Sequence, residues 1–145
     1  MNPTEKETAL WMALNLAQRS VYRTMDSALK AKGLPPLRWY DVLWAIERAN
    51  DRGLRPFELE KLLIFDQSNL SRLISRLIGE DLAQESVFET DKRGKVLKIT
   101  SKGRCVREQM WKIYGPLIHR HMSQVSEQHD PDKLAAALNL LIDKA

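Results

Sequence analysis

Hydrophobic residues recur with helical spacing along most of the chain. Two long apolar stripes run over Thr4–Lys32 and from Ser101 to about Val125, and a shorter stripe follows Asp130. Between the long stripes, Leu37–Ala49 is apolar on more than one side, which is typical of a buried helix. These patterns predict a mainly α-helical protein with amphipathic helices at both ends.

The segment from Leu54 to Gly103 has a different organisation, with two short helices and a strand pair. Pro56 suits the first position of a helix, and Asp66 is the expected N-cap of the next helix. Strand-forming residues then flank Gly94, which is expected at the tip of a hairpin. Two helices joined by a turn and followed by a small β-hairpin predict a winged helix-turn-helix.

The second short helix has an unusual polar face. Its apolar positions are Leu70, Leu73, Ile74, Leu77 and Ile78, and no carboxylate occurs between Asn69 and Gly79. A solvated face usually mixes Glu with Lys, and Ser and Asn are mediocre helix formers. Hydroxyl, amide and guanidinium groups can read base edges and phosphates in a major groove. We therefore expect DNA contacts from Ser68, Asn69, Ser71, Arg72 and Arg76.

Charge along the predicted hairpin is segregated, although the net charge of the chain is only +4. Five acids and no base lie from Glu80 to Asp91, and six bases and no acid lie from Lys92 to Arg104. One interpretation is a solvated hairpin whose strands pair by opposite charge. The other is a wing whose tip touches the DNA backbone or minor groove. The second predicts further contacts from Arg55, Asp91, Lys92, Arg93 and Lys95.

Three stretches of the chain resemble the MarR family of bacterial transcriptional regulators. They are LRWYDVLWAI, LRPFELEKLLIFDQSNLSRLISRL and TDKRGKVLKITSKG, so the resemblance runs from about residue 37 to residue 103. The family's wing carries Asp-x-Arg-Gly, which residues 91–94 match. Asp81 stands where relatives often have Gly, and Glu85 stands where they often have Arg. These departures affect the local cap and any ligand contact at the second position.

The resemblance implies a single domain, 1–145, with a DNA-binding lobe at 37–103 and dimerisation helices at 1–34 and 104–145. It implies a cytoplasmic homodimer on a near-palindromic operator of double-stranded DNA. The long terminal stripes favour a dimer independently, because one subunit of this size could not cover a helix of nearly thirty residues. The expected dimerisation residues are Leu10, Leu14, Leu117, Leu134, Leu138 and Leu141.

Four tryptophans are many for 145 residues, and each one taken singly is expected in the core. The family resemblance adds a cleft between the two lobes, where relatives often bind small aromatic acids. Aromatic walls with a few polar groups suit such a ligand. This predicts a repressor released by a small aromatic or anionic effector, bound by Trp11, Trp39, Tyr40, Asp41, Arg72 and Trp111.

Other functions have less support in the sequence. No HExxH, GxSxG, phosphate-loop or CxxC motif is present, and His119 and His121 point to different faces of a helix. We expect no catalytic residue, cofactor or metal. Cys105 follows Lys102 and Arg104, so it is either a redox switch or a small hydrophobic residue. A further alternative is a winged helix that binds proteins and no DNA.

The expected compartment also follows from the sequence. One cysteine excludes an internal disulfide and fits a reducing cytoplasm. No apolar run approaches the roughly 20 residues of a membrane span, and we see no signal peptide.

Overall fold

The structure, a computed structural model, describes residues 1–87 and 94–142. These residues form helices and one antiparallel hairpin, as the hydrophobic pattern predicted. In chain order the elements are α1 (Glu5–Ala31), α2 (Leu37–Arg48), α3 (Pro56–Leu62), α4 (Leu70–Gly79), β1 (Ala83–Val87), β2 (Lys95–Ile99), α5 (Ser101–Ser126) and α6 (Pro131–Asn139). A short 3-10 turn, Asn50–Arg52, connects α2 to α3.

The two terminal helices begin at side chains that satisfy free backbone N–H groups. Thr4 and Glu7 form a capping box, in which the Glu7 N–H donates to Thr4 Oγ1 over 3.1 Å and the Thr4 N–H donates to the Glu7 carboxylate over 2.7 Å. That second bond lowers the pKa of Glu7. Asp130 caps α6 by accepting from the Asp132 N–H, with Pro131 at the first position, as predicted.

One hydrophobic core joins α2, α3, α4 and the hairpin. The strands pair from Ala83↔Ile99 to Val87↔Lys95, and Leu54 adds a bridge to Leu97 through two hydrogen bonds of 2.8 and 3.0 Å. Glu85 and Lys95 form an exposed ion pair at 3.6 Å across the strands, as the charge segregation suggested. The centre of this core contains Val42, Leu43, Ile46, Leu59 and Leu77.

A second core lies where α1 and α5 pack on α2. Its buried members are Met25, Leu29, Leu37, Tyr40 and Met110. Beyond this core the terminal helices leave apolar side chains in solvent. Of the predicted dimerisation residues, Leu14 and Leu117 are half-buried. The rest are exposed in the single chain: Leu10, Leu134, Leu138 and Leu141.

Two details of the fold differ from the sequence prediction. Asp66 is not the N-cap of α4, because that helix begins four residues later at Leu70 and follows Asn69. Helix α6 ends at Asn139, so Leu141 lies beyond it. No described helix is both long and apolar enough to cross a membrane.

Candidate nucleic-acid interface

Helix α4 separates its residues into a buried and an exposed face. Leu70, Leu73, Ile74 and Leu77 are buried against the winged-helix core. On the opposite side, the predicted residues Ser71, Arg72 and Arg76 are exposed, as is Ser75. Ser68 and Asn69 are also exposed, but they lie in the turn that precedes the helix. The predicted surface is therefore continuous although its first two members are not helical.

The turn before α4 is fixed by a residue that the sequence placed elsewhere. Asp41 of α2 is 4% exposed, and its carboxylate accepts from the Ile64 N–H at 2.9 and 3.1 Å and from the Phe65 N–H at 2.9 Å. These bonds hold the connector between α3 and α4 against α2. Asp41 was predicted to contact a ligand, whereas its hydrogen bonds are with the backbone.

The residue just before β2 lies beside the start of α3. A Cβ at Gly94 would be 3.3 Å from Cζ of Arg55, so this guanidinium lies against the second half of the hairpin. The Arg55 N–H donates to Glu58 over 3.2 Å, and Glu58 also pairs with Arg52 at 2.9 Å. Lys95 is exposed. The other predicted wing contacts, Asp91, Lys92 and Arg93, lie outside the described residues.

Asp81, where relatives often have Gly, adopts a left-handed backbone conformation with φ of 61°. Its carbonyl accepts from the Thr100 hydroxyl over 2.6 Å, at the start of α5. A left-handed residue without glycine is strained, and Asp tolerates it better than most. The turn before the hairpin therefore has the shape that glycine favours.

The predicted ligand residues are spread over several parts of the molecule. Trp11 is 66% exposed on α1, while Trp39 packs beside the winged-helix core and lines a small cavity together with Arg72. Tyr40 is buried, and its ring stacks on Trp111 with centroids 6.0 Å apart. Burial raises the pKa of Tyr40. Tyr40 is therefore a core residue, whereas Trp111 is 46% exposed.

Two larger cavities meet at a pair of aromatic residues that the sequence analysis did not select. Tyr22 of α1 and Phe65 of the connector pack edge to face, with centroids 4.9 Å apart. On one side, a cavity of about 540 Å³ is lined by polar groups that include Arg19, Arg23 and Arg38. On the other, an almost wholly apolar cavity of about 390 Å³ extends between α1 and α5. Burial raises the pKa of Tyr22, so its hydroxyl stays protonated at neutral pH.

An ion pair connects α5 to the winged-helix core. Arg107 contacts the carboxylate of Glu47, and both side chains are less than one-fifth exposed. The Arg107 guanidinium also lies 5.1 Å from the ring centre of Trp44, and Arg48 lies 5.2 Å from the same centre. Neither Trp44 nor Arg107 has an obvious sequence signature, because the pair forms only when α2 and α5 pack.

Other candidate chemistry has little support among the described residues. Cys105 is an exposed free thiol near the start of α5. The Nδ1–H of His121 donates to the carbonyl of Leu117 over 2.8 Å. In residues 1–87 and 94–142, no group of three or more His, Cys, Asp or Glu side chains is arranged to hold a metal ion.

The α3–α4 pair, the hairpin that follows it and their common core define a winged helix-turn-helix protein. Residues 32–94 match the family model described as MarR family. The multiple antibiotic resistance protein MarR of Escherichia coli is 30% identical over 71 residues, which are 49% of this chain and 49% of that protein. The chain thus spans about half the length of the curated relatives it matches. The chain is therefore similar to MarR family proteins over residues 32–94.

Solved structures of this family share the fold. AbsC, a MarR family regulator from Streptomyces coelicolor, matches with a TM-score of 0.81 and 20% identity over 97% of this chain and 93% of its own. A second regulator from the same organism, solved with DNA, has the same TM-score and identity and covers 97% and 86%. An E. coli MarR mutant with operator DNA gives 0.73 and 22% over 97% and 96%. Both Streptomyces coelicolor proteins are described as MarR family transcriptional regulators.

Proposed function

We propose that this protein is a homodimeric, sequence-specific regulator of transcription that binds double-stranded DNA through α4 and the wing. The observation that carries the proposal is the exposed face of α4, with hydroxyl and guanidinium groups and no carboxylate. In a winged helix-turn-helix, this second helix enters the major groove. Two structural neighbours are described as complexes with DNA, which supports the same use here.

A direct test uses a duplex selected from a random pool and an unrelated duplex of equal length. Arg72→Ala or Arg76→Ala should weaken binding to the selected duplex by roughly 1–3 kcal/mol. Either change should also reduce the ratio of affinities for the selected and the unrelated duplex. The matched control is Arg19→Ala, which removes an exposed guanidinium from α1. If the wild-type chain binds both duplexes equally, or binds neither, the proposal of sequence-specific binding is wrong.

The dimer is proposed from the apolar surface of the terminal helices. Leu10 and Trp11 are about two-thirds exposed, and Leu138 and Leu141 are 45% and 66% exposed. Exposed apolar side chains in this number usually mark an interface when they are gathered on one surface. Leu138→Glu should give a smaller species by analytical ultracentrifugation than the exposed control Asn139→Glu. A wild-type monomer at micromolar concentration would contradict the dimer.

Release of a repressor by a small aromatic or anionic effector is the third part of the proposal. The cavities on either side of Tyr22 and Phe65 support it, since one offers guanidinium groups and the other an apolar wall. We expect benzoate or naphthoate to lower DNA affinity, and Tyr22→Ala to reduce this response. If only an oxidant releases DNA, and Cys105→Ser abolishes that release, the protein is a redox-responsive regulator instead.

A further inference from the structure

A small notch adjoins the exposed face of α4 and includes a residue from another helix. It has a volume of about 160 Å³ and lies between the first turn of α2 and the start of α4. Arg38 contributes from α2, and Arg72 and Arg76 contribute from α4. The remaining lining residues are Trp39, Gln67, Ser68, Asn69 and Leu73.

The charge of the notch is strongly one-sided. Three of its eight lining residues are arginines, and none is a carboxylate. The acidic groups on the other side of Arg38, Asp26 and Asp66, line the 540 Å³ cavity instead. Asp26 also accepts a hydrogen bond from the Leu37 N–H over 2.8 Å. The notch thus has the chemistry of an anion site.

Arg38 is held in place by two contacts that do not use most of its donors. Its Nε–H donates to the Tyr22 hydroxyl over 3.2 Å, and its carbonyl accepts from the Gln67 amide over 3.0 Å. A guanidinium has five N–H donors and matches phosphate oxygens with two parallel bonds. The contact to Gln67 also ties the first turn of α2 to the residues just before α4.

We propose that the notch binds a backbone phosphate of double-stranded DNA, and that Arg38 contacts the DNA from α2. The inference rests on the proposed function, because it needs α4 to lie on DNA. Continuity with α4 favours a duplex phosphate as the occupant, since Arg72 and Arg76 belong to both the notch and the exposed face of the helix. Such a contact positions the protein on the duplex without reading its sequence.

The test is the salt dependence of binding to the selected and unrelated duplexes. Losing one phosphate contact flattens the slope of log K against log salt by about 0.9, and a dimer loses two, one from each subunit, so the slope should flatten by about 1.8. From about 50 mM to about 200 mM salt, the ratio of wild-type to Arg38→Ala affinity should therefore fall by about 12-fold. Because a phosphate contact carries no sequence information, Arg38→Ala should weaken both duplexes by the same factor.

Two variants separate this role from a structural one. Arg38→Lys keeps the charge and should keep the wild-type slope. Arg120→Ala removes an exposed guanidinium of α5 outside the notch and should behave as wild type. If Arg38→Ala does not fold, as judged by its urea midpoint, Arg38→Gln provides the same comparison with a longer side chain.

The outcomes also separate this inference from the proposed function. If Arg72→Ala weakens the selected duplex while Arg38→Ala leaves affinity and slope unchanged, the notch does not bind phosphate and the proposed function stands. If Arg38→Ala changes the preferred sequence and leaves the slope intact, Arg38 contacts a base and the phosphate assignment is wrong. If the wild-type chain does not bind duplex DNA, the proposed function fails first.

Discussion

Replacing Asp41 by Ala should destabilise the protein by disordering the connector before α4. The carboxylate is 4% exposed and accepts from two adjacent backbone N–H groups, those of Ile64 and Phe65. Each hydrogen bond to a charged group is worth about 1.5–3 kcal/mol, and partly buried donors recover some of that loss from water. We therefore expect a loss of about 2–4 kcal/mol in the free energy of unfolding.

Urea unfolding followed by circular dichroism measures this loss, with protein concentration held constant because a dimer's stability depends on it. For a chain of this size, Tm should fall by about 4–16 °C. Asp66→Ala is the matched control, since Asp66 is the exposed carboxylate that the sequence predicted as the cap. The reasoning is refuted if Asp41→Ala unfolds within about 0.5 kcal/mol of wild type, or if Asp66→Ala is equally destabilised.

Three further substitutions test the packing by urea unfolding. A Cβ at Gly103 would overlap the carbonyl of Leu82, so Gly103→Ala should lower the free energy of unfolding by about 1–3 kcal/mol. The control is Gly79→Ala, which meets open space and should not destabilise the protein. Equal effects of the two changes would contradict the close packing at Gly103. Asp81→Gly should stabilise by about 1 kcal/mol because it relieves the left-handed backbone, and a loss of stability would show that the Asp side chain matters more. Arg107→Ala leaves Glu47 without its partner and should lower the free energy of unfolding by about 3 kcal/mol. An unchanged free energy of unfolding would show that the ion pair does not stabilise the fold.

The sequence predicted the helices well because their stripes and caps are local. Asp130 caps the last helix and Pro56 begins α3, as their positions suggested. The N-cap prediction at Asp66 was wrong, because α4 begins at Leu70 and Asn69 precedes it. The bond from the Ile64 N–H to Asp41 spans 23 residues, and no local pattern in the sequence reveals such a contact.

The part of the candidate site that lies on one helix could be predicted from the sequence, and the part that needs two helices could not. The polar face of α4 follows from one helical period, so its exposed residues Ser71, Arg72 and Arg76 were identified correctly as surface residues. The notch was missed because it needs α2 and α4 side by side, and Arg38 looks like an ordinary surface cation in the sequence. The predicted cleft residues were chosen as aromatic groups near the lobe junction. Tyr22 and Phe65 meet there, while the buried Tyr40 stacks on the partly exposed Trp111.

Helix α2 contacts the helices α1 and α5 near its two ends, and between these ends it contacts the connector before α4. Its first residues bind α1, through Leu37 to Asp26 and through Arg38 to Tyr22. Near its other end, Glu47 pairs with Arg107 of α5. Between these contacts Asp41 holds the connector that leads into α4. Because a change in one packed element is transmitted through such contacts, a shift of α1 against α2 would move Arg38 and the connector together. Under the proposed function, a ligand beside Tyr22 would act on DNA binding most directly through Arg38.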